Sequence, residues 1–414
     1  MTYLFNHDVT ISSLTADAFS RLRVSEPFTL GDYKHLYGLD PNFLDHVENG
    51  GSVSFQANQA CARLTTSGNS NSRVVHQSKF YHHYMPGKSQ LILSSFNFYN
   101  AVANVTKRTG YFDDNNGIFF EQAGDGTLSI VLRSFVSGVA VETRKTQAEW
   151  NTDACDGTGA SKFDLQIDKT QLLFIDFQWL GVGKIRVGFA HEGSYIVAHT
   201  FNGSNDLSTV YMSNPNLPVR CEILNTGATA GSYFDQICST VISEGGYVEA
   251  GQDWAVQSPA LRSLGVGATL PVLAIRLKTS FNTYLNRMIV RLGNVNIFSD
   301  SGNISYSITK LPNGASLTGG AWVSADPSSG VEYNATATAF SNPDVMDTGF
   351  CASAVNGGNK SGGSPSANLP SAAKKNYIVQ NFDSTDSEIY VITATNIDTK
   401  STNVGVGMQW REIY

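Results

Sequence analysis

The sequence contains few charged residues and few histidines, and it lacks the residue spacings that are typical of active sites. Only 15% of its 414 residues are charged, against about a quarter in ordinary domains, and histidine does not occur after His199. The formal net charge is −7 and no basic stripe is present, which argues against a nucleic-acid groove. We interpret the isolated pairs Lys107-Arg108 and Lys374-Lys375 as ordinary solvated surface.

Cysteines are few and widely spaced, and no long apolar run occurs. The absence of a C-x-x-C pair argues against a zinc site and a disulfide framework, so we expect buried free thiols of a protein made in a reducing cytoplasm. Without 18 consecutive apolar residues or a basic, then apolar, N-terminus, we expect neither a transmembrane helix nor a secretory signal. The five cysteines are Cys61, Cys155, Cys221, Cys238 and Cys351.

Short β-branched and aromatic runs between Gly, Asp and Asn turns are abundant, above all from Gly110 to Tyr247. Asp125-Gly126 and Glu192-Gly193-Ser194 are the clearest hairpin turns, because glycine takes the positive φ that such turns require. Long apolar segments with a 3.6-residue period are absent. The sequence therefore predicts an all-β fold of tandem antiparallel β-sandwiches, jelly-roll or lectin-like, with an extended N-terminal arm.

The composition divides the chain into three parts. Residues 1–50 are expected to be a docking arm, because they are too short to hold a core and their apolar residues follow no clear period. Residues 51–250 and 251–414 are expected to form a first and a second β-sandwich, with Gly357–Pro365 as a flexible loop. The arm should bury four apolar residues against a neighbouring protein or the second domain: Phe19, Leu22, Val24 and Phe28.

Two runs are candidates for metal binding. Asp113-Asp114-Asn115-Asn116-Gly117 is rich in oxygen ligands but lacks the spacing and the terminal Glu of a calcium loop, so we favour a turn between strands. His82-His83 would place its two rings on opposite faces of a strand, which favours a structural role. We expect no metal and no cofactor.

Three carboxylates in predicted strands, Glu121, Asp176 and Glu222, are the candidates for a glycosidase pair. No two of them are two residues apart on one strand, so exposed or hydrogen-bonded carboxylates are the favoured interpretation. The sequence contains no G-x-S-x-G elbow, P-loop or dinucleotide fingerprint. The 17 tyrosines and 23 phenylalanines suit core and interface burial more than a glycan platform, although the sequence leaves both open. No catalytic residue is expected.

Several phrases resemble those of virion structural proteins of tailed, mainly aquatic, bacteriophages, which have relatives in giant DNA viruses. These phrases cover most of the chain, so the resemblance implies a virion component without naming a catalytic residue or a position in the particle. They are Ala18–Ser25 with Phe28–Leu30, Gly117–Gln122, Phe174–Gly183, Pro215–Arg220 and Trp410–Tyr414.

We therefore expect a non-enzymatic structural protein of the virion, made in the host cytoplasm: a tail, baseplate, fibre or head-decoration subunit. Its partners would be copies of itself, a trimer by analogy, and other virion proteins, with no nucleic acid and no membrane insertion. The alternatives are an adhesin that recognises host-surface glycan and a polysaccharide depolymerase. Exposed aromatics beside Asp or Asn would favour the adhesin, and two carboxylates facing each other across a groove would favour the depolymerase.

Overall fold

The computed structural model describes residues 26–227, 230–353 and 377–413, together with the backbone of residues 366–368. Within these ranges the regular structure is β-strand, apart from one 3-10 turn at Gln147–Glu149. The strand pairs that the structure describes are antiparallel. This confirms the predicted all-β, antiparallel fold. No helix in the described ranges has the length and apolar character needed to cross a membrane.

The chain divides into two compact units after Val248, close to the expected boundary at residue 250. The strands of the first unit are β1 (Phe28–Lys34), β2 (Phe43–Glu48), β3 (Ser52–Gln56), β4 (Cys61–Thr65), β5 (Ser72–Ser78), β6 (Gln90–Asn97), β7 (Val105–Phe112), β8 (Gly117–Gln122), β9 (Leu128–Ser134), β10 (Val141–Thr146), β11 (Gln171–Phe177), β12 (Ile185–His191), β13 (Ser194–Phe201), β14 (Val219–Asn225) and β15 (Tyr233–Ser243).

These strands form two sheets. Sheet I has the order β13-β12-β11-β6-β15-β4-β3, with β1 also paired to β15, and sheet II has the order β10-β9-β8-β7-β14-β5-β2. One apolar cluster joins them, with Phe96 and Ile175 from sheet I and Phe120 and Ile223 from sheet II all fully buried. The shared core makes the first unit a β-sandwich.

Two hairpins follow the turn chemistry of the sequence. Asp125-Gly126 lies between β8 and β9, and Gly126 has a φ of 91°. Glu192-Gly193 joins β12 to β13 with φ values of 47° and 74°, the two positive values of a type I′ turn.

From residue 28 onward the structure shows strands of the first sandwich where an extended arm was expected. β1 pairs with β15 in sheet I and β2 pairs with β5 in sheet II, so residues 28–48 belong to the first sandwich. Tyr33, His35 and Phe43 are buried there, because alternate positions of these short strands carry the side chains that complete the core. The prediction of one docking segment over residues 1–50 is therefore wrong for this part, and residues 1–25 lie outside the described residues.

The second unit contains the remaining strands in two larger sheets and two ribbons. Sheet III has the order β16-β31-β21-β28, with β17 on β31 and β29 on β21; sheet IV has the order β24-β25-β18-β30-β22-β27. The ribbons are β19-β20 and β23-β26. The strands are β16 (Gln252–Gln257), β17 (Arg262–Leu264), β18 (Thr269–Leu277), β19 (Ser280–Phe281), β20 (Tyr284–Leu285), β21 (Ile289–Ser299), β22 (Ile304–Leu311), β23 (Leu317–Thr318), β24 (Val323–Ser324), β25 (Val331–Asn334), β26 (Ala339–Phe340), β27 (Asp344–Cys351), β28 (Ser366–Asn368), β29 (Tyr377–Ile378), β30 (Ile389–Asn396) and β31 (Thr402–Ile413).

The second unit also has its own core between two sheets. Val295 and Trp410 of sheet III pack in one buried cluster with Ile275 and Ile392 of sheet IV. The sequence predicts this second sandwich from its apolar runs. The proposed loop Gly357–Pro365 cannot be compared, since residues 354–365 lie outside the described residues.

Candidate functional site

The densest group of charged side chains lies on the outer face of sheet II, the face turned away from the core. Successive strand residues point to opposite faces, so Ile118 and Phe120 enter the core while Phe119 and Glu121 point outward. We call this group the ionic face. It includes Asp114 from the turn between β7 and β8, and its other members lie on strands. The members are Arg73, Arg108, Asp114, Glu121, Arg133, Glu142, Arg144, Arg220 and Glu222.

Arg108 on β7 is the centre of the ionic face. The strand register places it directly opposite Glu121 on β8 and Glu222 on β14. Its Nε donates to Glu121 Oε2 at 2.7 Å, and its NH1 donates to Glu222 Oε1 at 3.0 Å. One guanidinium therefore joins the two carboxylates that flank it.

Further arginines hold the same two carboxylates. Arg144 Nε donates to Glu121 Oε1 at 2.9 Å, and Arg73 NH2 donates to Glu222 Oε2 at 3.2 Å. Burial disfavours the charged form of both glutamates, but the arginines outweigh it and hold the pKa of each carboxyl below its usual value. Both side chains are therefore anionic at neutral pH.

Each flank of the ionic face continues the pairing. Arg220 NH1 and Arg73 NH2 both donate to Asp114 Oδ1, at 2.7 and 2.8 Å. On the other flank, Arg133 NH2 donates to Glu142 Oε1 at 2.6 Å. Although the chain carries a net charge of −7, this face carries five arginines and four carboxylates, so positive charge exceeds negative charge by one.

An apolar patch lies beneath these charges. Phe112, Phe119 and Val131 form a buried cluster on the same outer face. The Arg133 guanidinium lies 4.9 Å from the ring centre of Phe119, and that of Arg220 lies 5.3 Å from that of Phe112. Cation–π contact therefore fixes the arginines in the positions from which they bind the carboxylates.

This arrangement is poorly suited to general acid–base catalysis. A glycosidase pair needs one carboxyl that is protonated near neutral pH, which requires a raised pKa. Glu121 and Glu222 share a face, but both have lowered pKa values and Arg108 lies between them. The geometry fits a structural or docking surface of paired charges.

The third strand carboxylate lies in the other sheet. Asp176 on β11 is opposite Arg186 on β12 in sheet I, and both Nε and NH2 of Arg186 donate to its Oδ2. Ser89 Oγ donates to Asp176 Oδ1 at 2.7 Å. The structure thus brings Glu121 and Glu222 to one face but leaves Asp176 apart from them.

The two candidate metal runs have structural roles. His82 accepts a hydrogen bond from Tyr33 and lies 3.1 Å from the Leu217 carbonyl oxygen through Nδ1. Asp113 Oδ1 accepts the backbone N–H groups of Asn115 and Asn116, both at 2.8 Å, so the acidic run is the turn between β7 and β8, as favoured from the sequence. Among the described residues, no three His, Cys, Asp or Glu side chains are grouped to hold a metal ion.

The interpretation of Lys107-Arg108 as solvated surface is wrong. Lys107 is buried, its Nζ donates to the carbonyl oxygens of Phe98 and Asn100, and burial lowers its pKa to about 8. The sequence signal that was missed is the alternation in β14, where Arg220 and Glu222 are two residues apart and so share a face. The second pair, Lys374-Lys375, lies outside the described residues.

The cysteines agree with the expectation of free thiols, with four buried and Cys238 exposed. The proposed docking residues are only partly within the described structure: Phe19, Leu22 and Val24 lie outside it. Phe28 is 44% exposed and stacks on Tyr247, with ring centres 4.9 Å apart. Its burial against a partner stays a prediction.

No family model and no curated protein matches the chain. Among solved structures, a legume lectin-like domain from Entamoeba histolytica is 9% identical with a TM-score of 0.31, covering 51% of this chain and 96% of that one. A β-1,3-glucanase from Mycobacterium marinum is 10% identical with a TM-score of 0.35, covering 52% and 98%. A protein of unknown function from Shewanella oneidensis is 10% identical with a TM-score of 0.35, covering 56% and 92%. Scores of this size carry no argument about function, and the class that the sheets themselves define is an all-β protein of two antiparallel sandwiches.

Proposed function

We propose that the chain is a non-enzymatic structural subunit of a phage-like virus particle, in the tail, baseplate, fibre or head decoration. The observation that carries the non-enzymatic part is the Arg108 bridge between Glu121 and Glu222. These carboxylates share a face as a glycosidase pair would, yet both are held as anions. This supports a building or binding role over a polysaccharide depolymerase.

Three of the segments that resemble virion proteins contain buried charged residues. Gly117–Gln122 is strand β8, which is buried at all six positions and includes Glu121. Phe174–Gly183 includes Asp176, and Pro215–Arg220 ends at Arg220, both in ion pairs. The likeness therefore falls on residues that specify the two sheets, which supports a shared architecture.

Exposed aromatic and apolar side chains support assembly with other subunits. Tyr37, in the loop between β1 and β2, is fully exposed, and Phe350 on β27 is 76% exposed. Tyr284 and its neighbour Leu285 are both exposed on β20. The proposed contacts are with copies of the same chain, in a trimer, and with other virion proteins.

Antibody labelling of purified virus particles tests this function directly. The protein should co-migrate with particles through a density gradient, and gold-labelled antibody should mark one defined part of the particle. Recovery of the protein only from the particle-free fraction would contradict a structural role. A parallel assay separates the enzyme alternative: release of reducing ends from host capsule or lipopolysaccharide, lost in a folded Glu222→Gln variant, would favour the depolymerase.

A further inference from the structure

A groove of about 490 Å³ runs across the outer face of sheet III in the second unit. Its walls come from β16, β31 and β21, adjacent strands in that sheet. Its strands belong to the second unit, whereas the ionic face lies on strands of the first unit. The function proposed above leaves this groove unused.

The floor of the groove carries very small side chains on either side of Gln409. Ala255 on β16 pairs with Gln409 on β31 and is exposed. On the other side of β31, the register of β21 shifts between Leu292 and Val295, so Gly293 lies in a β-bulge. With an alanine on one side and a glycine on the other, a ligand can approach the sheet backbone closely.

The charged groups of the groove are already neutralised. Arg411 Nε and NH2 donate to Asp253 Oδ1 and Oδ2, both at 2.7 Å, in a bidentate pair. Arg291 Nε lies 2.8 Å from Glu249 Oε1. A phosphate or carboxylate ligand would have to displace one of these carboxylates, so the lining favours a ligand without charge.

The amide groups of the groove retain hydrogen-bonding capacity. Asn294 Nδ2 donates to Gln409 Oε1 in a long bond of 3.3 Å, and both side chains are exposed. Asn294 Oδ1 remains an acceptor and Gln409 Nε2 remains a donor.

We propose that this groove binds an uncharged saccharide. Sugar hydroxyls both donate and accept hydrogen bonds, which matches the amides and the bidentate Asp253–Arg411 pair. A sugar ring is flat enough to lie on the floor beside the Gln409 side chain, against Ala255 or Gly293. The groove is less suited to peptides that bind through apolar anchor residues, because its exposed walls are Asp, Arg, Asn and Gln side chains. On a virus particle, such a groove would attach the particle to neutral glycan.

Affinity electrophoresis of the full chain tests the proposal, in gels that contain dextran, mannan or galactomannan, with the anionic polysaccharide alginate in a fourth gel. The protein should be retarded by at least one neutral polysaccharide. Ala255→Tyr, which places a ring on the groove floor, should weaken this retardation at least tenfold. Ala339→Tyr is the matched control, because Ala339 is also an exposed strand alanine of the second unit, and it should migrate as the wild type does.

If Ala255→Tyr does not fold, the double variant Asn294→Ala/Gln409→Ala replaces it, since both side chains are exposed and removal of their amides should give the same loss. Absence of retardation in all three neutral gels would overturn the proposal. So would retardation by alginate alone, or equal retardation of the wild type and the groove variants. These results are independent of whether the protein is found in particles, so the saccharide site and the structural role can fail separately.

Discussion

Glu121 and Glu222 lie on one face of sheet II, two strands apart, with the guanidinium of Arg108 between them and bonded to both. Removal of Arg108 takes one charge-assisted hydrogen bond from each glutamate, while Arg144 still holds Glu121 and Arg73 still holds Glu222. The central position of Arg108 makes it the residue on which the ionic face depends most.

Arg108→Met should therefore lower the free energy of unfolding by about 3 kcal/mol, because two hydrogen bonds to charged groups are lost and each contributes about 1.5–3 kcal/mol. Urea denaturation at pH 7 measures this change. Lys34→Met is the control, because the Lys34–Asp32 pair is solvent-exposed on both sides and its loss should leave the midpoint unchanged. An unchanged midpoint for Arg108→Met would contradict the central role.

A second prediction concerns the turn that leads into β8. Gly117 has a φ of 145°, and an added Cβ would lie 2.6 Å from the Tyr111 carbonyl oxygen. Gly117→Ala should destabilise the protein by about 3 kcal/mol, since backbone strain and overpacking add. The loss is read from the thermal or urea midpoint.

Gly138→Ala separates these two causes. Gly138 also has a positive φ, 81°, but an added Cβ there would meet no atom within 4 Å. It should lose only the strain, about 1 kcal/mol. If the two alanine variants have equal midpoints, crowding at Gly117 is not the cause.

The hairpins and the fold class could be predicted from the sequence because their signals are local. The conformation of a Glu-Gly or Asp-Gly turn between two β-branched runs is determined by those few residues, as at Glu192-Gly193. The two sandwiches followed from the same patterns together with chain length. Nothing in those signals specifies which distant strands become neighbours.

The ionic face could not be predicted for that reason. Arg108 is 13 residues from Glu121 and 114 from Glu222, and only the register of β7 against β8 and β14 brings them together. The wrong prediction for Lys107-Arg108 has the same cause. In the sequence alone, two adjacent charged residues look like a solvent-exposed pair, because their partners on other strands cannot be seen. In the sheet, one side chain enters the core and the other enters the ion pairs.

A third prediction concerns acid. The Leu217 carbonyl oxygen beside His82 Nδ1 can only accept, so Nδ1 carries the proton and Nε2 accepts from the Tyr33 hydroxyl. Burial lowers the pKa of His82 to about 4, from about 6.5 in the unfolded chain. The unfolded chain binds more protons between these values, so the contribution of His82 to stability is present above pH 6.5 and is lost as the pH falls to 4.

The expected loss from His82 alone is about 3 kcal/mol between pH 7 and pH 4. Urea denaturation at a series of pH values should show it, and His82→Gln, which keeps an acceptor for Tyr33, should flatten the profile. Burial also lowers the pKa of His199 to about 4, so some dependence on pH should remain in that variant. A profile that is identical in His82→Gln and in the wild type would contradict the assignment.

The last prediction separates the N-terminal residues from the strands that follow them. Deletion of residues 1–50 should prevent folding of the first unit, because it removes β1 and β2 and with them the buried side chains of Tyr33, His35 and Phe43. Loss of a single large buried side chain costs about 3–5 kcal/mol, and ordinary domains are stable by only about 5–15 kcal/mol. Deletion of residues 1–25 keeps both strands and should give a folded protein. Circular dichroism and urea denaturation of the two truncated proteins make the comparison, and equal stability of the two would show that β1 and β2 do not support the sandwich.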